Sequence, residues 1–262
     1  MSEKKVIFID YDGTLYNRTN NCLYDEVYDL FKQCQEQSID IYLTTGRTMP
    51  YLFNDHKLLS LINGVIGANG SFLYENNKYV FDNFIEVNDI VDIYNYTNEN
   101  NLSVVYFHPN GCYASFKDEE QFEKFKFYNP MPTEVLTDIK QINKKIELIC
   151  IYAPVALIDP MIPLFTNLLI YKWGSSGADV VSKNVSKGKA IKKLIKEKEY
   201  SITNTYGIGD GLNDIEMFKE VNTSVAMGNA SDFVKSHAKI VTSSIFERGV
   251  EKILLDILDN KL

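Results

Sequence analysis

Short apolar runs that end abruptly in polar clusters recur along this chain. The first, Val6-Ile7-Phe8-Ile9, is partly β-branched, shows no polar alternation, and closes on Asp10 with Gly13 shortly after. A strand buried on both faces reads this way. The pattern repeats at Ile41-Tyr42-Leu43 before TTGR, Val65-Ile66 before GANG and Tyr206-Gly207-Ile208 before GDGLND. It returns at Val225-Ala226-Met227 before GNAS and at Lys239-Ile240-Val241. Between these runs apolar residues fall at helical spacing: Leu23, Val27, Leu30, Phe31 and Cys34, then Ile191, Leu194 and Ile195, then Val250, Ile253, Leu254 and Ile257. Strands alternating with helices predict a parallel sheet in an α/β domain. Ligands of such sheets bind beyond the carboxyl ends of the strands, so the polar clusters should converge on one edge.

The middle of the chain follows another pattern. A helix is predicted over Val87 to Glu99, a strand over Leu102 to Phe107, a Pro109-Asn110-Gly111 turn, and a strand over Cys112 to Phe116. A helix from Glu119 to Phe127, a strand from Ile146 to Tyr152 and a helix from Val155 to Phe165 follow. Strands over Leu168 to Trp173 and Ala178 to Ser182 are joined by Gly174-Ser175-Ser176-Gly177, a hairpin loop. This is an α+β arrangement with antiparallel elements. The expected organisation is therefore a Rossmann-like core of residues 1–82 and 184–262, interrupted by an α+β domain at 83–183.

Composition narrows the function classes. A chain of 262 residues makes one large domain or two modest ones, and 45% hydrophobic with 24% charged residues excludes a disordered chain or a fibre. The net charge of −8 excludes a global basic footprint for duplex nucleic acid or an anionic membrane, while leaving room for a local small-anion pocket. No stretch approaches the ~20 apolar residues of a membrane span. The run after Lys4 and Lys5 is too short for a signal-peptide core. Cys22, Cys34, Cys112 and Cys150 form no CxxC pair and read as reduced thiols. These features point to a cytoplasmic protein, a monomer or weak homo-oligomer, whose partner is a small molecule.

Four clusters carry candidate chemistry. Asp10 and Asp12 flank Tyr11 at the end of the first strand, ahead of Gly13-Thr14. A charged strand end capping a turn is the plain alternative, but two carboxylates this close repel, and holding both ionised calls for a cation such as Mg²⁺. A carboxylate can also attack phosphorus, and its neighbour can exchange a proton with the leaving group or with water. GDGLND supplies Asp210, Asn213 and Asp214. A helix dipole accounts for one acid there, not for two acids plus Asn and the three glycines of GIGDGLND. Thr45-Gly46-Arg47 could hold phosphate oxygens where a helix begins, or be a helix cap and a surface arginine. Lys187 in SKGKA stands at a predicted helix start, where the dipole favours an acid, so its charge argues for a phosphate partner. Lys183 and Ala190 rule out a Walker A loop there. Asn69-Gly70 is either a turn or a substrate-side contact. Of the histidines, His56 and His237 fall in helical patterns, and His108, before a turn, could face a substrate.

Together the clusters resemble the haloacid dehalogenase superfamily of aspartate-nucleophile phosphotransferases, with DYDGTL, TTGR, SKGKA and GDGLND standing in order for its four motifs. Only 33 positions separate Asp12 from Thr45, whereas 140 separate Arg47 from Lys187. With VIGANGS and VAMGNAS, that spacing resembles the Cof-type branch, which carries an α/β cap between the second and third motifs. The resemblance implies a Mg²⁺-dependent phosphatase of small phosphorylated metabolites, sugar phosphates prominently. It implies Asp10 as nucleophile and Asp12 as general acid and base. Mg²⁺ would be held by Asp10, the Asp12 carbonyl and Asp210, with Asp214 in support. Thr45, Gly46, Lys187 and Asn213 would hold the phosphoryl group, and Arg47, Asn69 and Gly70 are expected on the substrate side. Tyr11, where a smaller or aliphatic residue is common, and Thr44, in place of Ala, depart from the family pattern without removing a catalytic group. A phosphomannomutase-like phosphosugar mutase is the alternative reading. A signalling receiver is about half this length and needs no inserted domain.

Overall fold

The computed structural model describes residues 4–17, 19–20, 23–52 and 55–262; Cys22 lies outside them. Along the chain come β1 (Val6–Asp10), α1 (Asp25–Glu36), β2 (Asp40–Thr44), α2 (Met49–Leu52), α3 (His56–Leu61), β3 (Gly64–Gly67), β4 (Phe72–Glu75) and β5 (Lys78–Asp82). Next are α4 (Val87–Glu99), β6 (Ser103–His108), β7 (Gly111–Ser115), α5 (Glu119–Tyr128), β8 (Thr133–Val135), β9 (Leu148–Tyr152), α6 (Val155–Ile158), β10 (Leu168–Lys172) and β11 (Ala178–Ser182). The chain closes with α7 (Lys187–Glu197), β12 (Thr205–Gly209), α8 (Ile215–Lys219), β13 (Thr223–Ala226), α9 (Asp232–Lys235), β14 (Ile240–Val241) and α10 (Gly249–Leu258). Packing divides it into two units. One comprises Met1–Thr45, Asp55–Val80 and Ser186–Leu262, the other Gly46–Asn54 and Phe81–Val185.

The first unit is the expected α/β core. Its sheet runs β14-β13-β12-β1-β2-β3-β4-β5, parallel from β14 through β3, with β4 antiparallel to β3. All five residues of β1 are buried, as an apolar run without alternation requires of a central parallel strand. On α1 the buried positions are Val27, Leu30, Phe31 and Cys34, and on α7 Ala190, Ile191 and Leu194, each on one face. Because β1, β2, β3, β12 and β13 run parallel, the segments that follow them all emerge at one edge. That is where the polar clusters stand.

The second unit holds an antiparallel sheet, β10-β11-β9-β6-β7-β8, closed by one parallel pair between β7 and β8. Ile90 and Ile93 of α4 and Ile158 of α6 share a core with Val104, Tyr106, Ile149, Ile151 and Val180. The helix predicted over Val155 to Phe165 is cut short. It ends at Ile158 and passes into a 3₁₀ turn at Asp159–Met161. Pro160 and Pro163 have no N–H to donate one turn back, so the α-helical ladder cannot continue. His108, a candidate for facing a substrate, is instead buried. Its ring centroid lies 5.1 Å from that of Tyr113, and its Nδ1 accepts from the backbone N–H of Asn110 at 3.2 Å. That turn accounts for it. The hairpin of β4 and β5 and the short strand β8 went unpredicted. Cys34, Cys112 and Cys150 are free thiols and buried.

Candidate active site

The site is built where β1 stops. Asp10, its last residue, is buried, and Lys187, the first residue of α7, is buried beside it. Lys187 Nζ donates to Asp10 Oδ1 at 2.5 Å and to Asp214 Oδ1 at 2.7 Å. Ser186 caps α7 by accepting from the Lys189 N–H at 3.2 Å, which starts the helix at Lys187. Gly70, at φ 104°, lets the loop after β3 close on that start; a Cβ there would lie 2.3 Å from the Ser186 carbonyl oxygen.

Asp214 is fully buried, and its two oxygens have separate partners. Oδ1 takes Lys187, while Oδ2 accepts the backbone N–H groups of Asp210 and Gly211 at 3.0 and 2.9 Å. The GDGLND turn thus folds onto its own last acid. Asp210 Oδ1 accepts from Thr14 Oγ1 at 3.1 Å. Its carboxylate lies over Gly13, at φ 87°, so closely that a Cβ there would come within 2.4 Å. Asp12 sits in the tight turn after β1, bridged to Tyr16, with the Tyr11 and Tyr16 rings stacked at 5.2 Å. Thr45 is fully buried, donates through its N–H to Ile66 O and accepts through its carbonyl from the Asn69 N–H, both at 2.9 Å. Asn69, in left-handed conformation, accepts from Asn213 Nδ2 at 2.8 Å. Asn213 and Asn69, expected separately on the phosphate and the substrate, are therefore bonded to each other. Gly46 and Arg47 belong to the second unit, where the Arg47 guanidinium stacks 3.7 Å above the Tyr51 ring.

The electrostatics favour an added cation. Asp10, Asp210 and Asp214 each present an oxygen within 4.8 Å of the others. Burial first, and Asp214 next, push the Asp10 carboxyl well above the usual range, against the pull of Lys187. Burial also works against the Lys187 charge, but Asp10 and then Asp214 outweigh it and raise its pKa. Three clustered carboxylates with one ammonium bridging two of them leave negative charge in excess. An all-oxygen set of this kind suits a hard divalent ion, so the residues present fit a metal. One participant escaped sequence reasoning. Asn229, in GNAS, donates to Asp210 Oδ2 at 3.2 Å; its signal was the position of GNAS directly after a parallel strand.

The sequence profile of the haloacid dehalogenase-like hydrolases matches residues 7–254. A 5-amino-6-(5-phospho-D-ribitylamino)uracil phosphatase of Bacillus subtilis (strain 168) is 27% identical over 258 residues, covering 95% of this chain and 94% of its own. A pyridoxal phosphate phosphatase of Escherichia coli (strain K12) is 25% identical over 257 residues, 90% of this chain and 92% of its own. The solved structure of a subclass IIB sugar phosphatase superimposes with a TM-score of 0.86 at 22% identity, over 96% of this chain and 98% of the other, a likeness of fold. The chain belongs to the haloacid dehalogenase-like hydrolase family.

Proposed function

We propose that this chain is a Mg²⁺-dependent phosphatase of small phosphorylated metabolites, sugar phosphates or similar, acting through an aspartyl phosphate on Asp10. One observation carries the reading: a buried lysine bridges the carboxylate ending β1 and the acid of the GDGLND turn, inside a three-carboxylate cluster. Phosphoryl transfer needs positioning and charge neutralisation more than covalent help from the protein, and this cluster is organised for both. In the first step an Asp10 oxygen bonds to phosphorus, the ester oxygen leaves, and Asp12 supplies its proton. In the second, Asp12 takes a proton from water, whose oxygen attacks the acyl phosphate, freeing inorganic phosphate and restoring Asp10. Lys187 offsets the charge of Asp10 and of the transferring group, and Thr45 and Asn213 hold phosphoryl oxygens. Mg²⁺, held by Asp10, the Asp12 carbonyl and Asp210 with Asp214 in support, would neutralise the phosphoryl oxygens when bound. Residues 1–82 and 184–262 serve as the catalytic core, and residues 83–183 as the cap that discriminates among substrates.

The named relatives act on chemically different phosphate esters, so the class of reaction is proposed here rather than one metabolite. The test is phosphate release from a panel of phosphorylated metabolites by the purified protein, with Mg²⁺ and with EDTA. Release that EDTA abolishes is expected. Isomerised sugar phosphate without free phosphate would instead establish a mutase, and no turnover across a broad panel would refute the proposal.

A further inference from the structure

One exposed side chain ties together the loops of the catalytic edge. Asn229 lies three residues beyond β13. Its Nδ2 donates to the Gly13 carbonyl at 2.9 Å and to Asp210 Oδ2 at 3.2 Å, and its Oδ1 accepts the Ile245 N–H at 2.9 Å. A backbone N–H can only donate, which orients the amide: its oxygen faces Ile245 and its NH₂ faces the two acceptors. Loops following β1, β12, β13 and β14 thus meet at a single residue.

The Asp210 carboxylate needs such restraint. It faces Asp10 and Asp214, and a half-buried side chain relieves that repulsion most easily by rotating toward water. Instead each of its oxygens accepts from a neutral side chain, Oδ1 from Thr14 and Oδ2 from Asn229, while Gly13 leaves room beneath. We infer that Asn229 is a positioning residue that holds the Asp210 carboxylate toward Asp10 and keeps the loop after β1 aligned with it. The inference rests on the reading of these acids as the Mg²⁺ site. A purely structural role would make a different demand. Asn229 is exposed, so truncating it opens no cavity, and the fold should lose little while the carboxylate loses its orientation.

The experiment is calorimetric titration of Mg²⁺ into the native protein and Asn229→Ala, with melting temperature followed against Mg²⁺ and turnover measured across the same range. Hydrogen-bond partners of metal ligands are typically worth about 10–100-fold in affinity, so the dissociation constant for Mg²⁺ should rise by about that factor. The Mg²⁺-induced rise in melting temperature should shrink at a given concentration, and saturating Mg²⁺ should largely restore kcat. Thr14→Val acts on the same carboxylate, so the double variant should lose less affinity than the two single losses combined. Should Asn229→Ala precipitate, Asn229→Ser, too short to reach both Gly13 and Asp210, carries the same expectation. A folded Asn229 variant that binds Mg²⁺ as tightly as the native protein would overturn the inference, whatever its turnover. If the native protein itself neither binds Mg²⁺ nor releases phosphate, the metal reading fails first, which the native titration alone reveals.

Discussion

Lys187→Met removes the buried ammonium that bridges Asp10 and Asp214. The ammonium lies 2.5 Å from Asp10 and 2.7 Å from Asp214, all three groups almost wholly shielded from solvent. At an effective dielectric constant of about 20, each contact corresponds to roughly 6 kcal/mol of Coulomb attraction. Desolvation of the three groups offsets much of this, and breaking a buried pair by removing one partner costs about 3–5 kcal/mol. Methionine fills most of the lysine stem, so little of the loss should come from packing. The uncompensated charge dominates. Asp10, already pushed up by burial and by Asp214, would then rise further. Urea unfolding of the first unit in EDTA should show a loss of about 3–5 kcal/mol. At ~2–4 °C per kcal/mol for a chain of this size, the melting temperature should fall by roughly 6–20 °C. Added Mg²⁺ supplies positive charge to the same acids, so it should raise the melting temperature of the variant more than that of the native protein. Turnover should fall by at least about 10²–10³-fold, as for loss of a group that stabilises transition-state charge. A Lys187→Met protein with native stability in EDTA and native turnover would show that Lys187 neither stabilises the buried acids nor serves the reaction.

Three further outcomes follow from named residues. Asp12→Asn keeps the backbone carbonyl but can neither give nor take a proton, a function typically worth ~10²–10⁴ per step. An aryl phosphate should then give a burst of about one equivalent of phenol followed by very slow turnover, and a sugar phosphate almost no burst; equal slowing without a burst would remove Asp12 from acid–base duty. Gly13→Ala places a Cβ 2.4 Å from the Asp210 carboxylate at a φ of 87°, so it should destabilise by about 1–3 kcal/mol and weaken Mg²⁺ binding, which urea unfolding and calorimetric titration would register. In the second unit, burial lowers the His108 pKa, so the unfolded chain takes up that proton first. Stability from this group is complete above about pH 6.5 and is lost as pH falls through the folded pKa. His108→Asn should therefore flatten the stability of this unit between pH 7.5 and pH 5, and an unchanged slope in urea titrations would contradict the assignment.

How much of this was legible in the sequence depended on how local the determinants were. β1 and its terminal Asp10 were plain because a doubly buried strand leaves an unbroken apolar run, and a second carboxylate two positions on exceeds what capping a turn requires. Lys187 was conspicuous as a cation at a helix start, against the dipole. Its true partners were not, since Asp10 and Asp214 stand 177 and 27 positions away. The β4–β5 hairpin turns at Asn76-Asn77, both with positive φ. Asparagine tolerates that region, but no glycine announced the turn. The apolar spacing after Val155 reads as a longer helix, but Pro160 and Pro163 remove the N–H groups that would continue it. Asn229 offered only its place after a parallel strand: a neutral amide acquires its role only when the fold brings Gly13 and Asp210 to it.

Trapping the phosphoryl group tests directly whether Asp10 carries it. Asp12→Asn should accumulate the acyl phosphate, because water lacks its base in the second step while an aryl leaving group needs no acid in the first. The variant would be mixed with an aryl phosphate and Mg²⁺, quenched in acid within the burst, digested at low pH and analysed by mass spectrometry. One phosphoryl group per chain is expected, on the peptide containing Asp10 and labile to hydroxylamine. A burst with no phosphorylated peptide, or phosphate on any other residue, would contradict it.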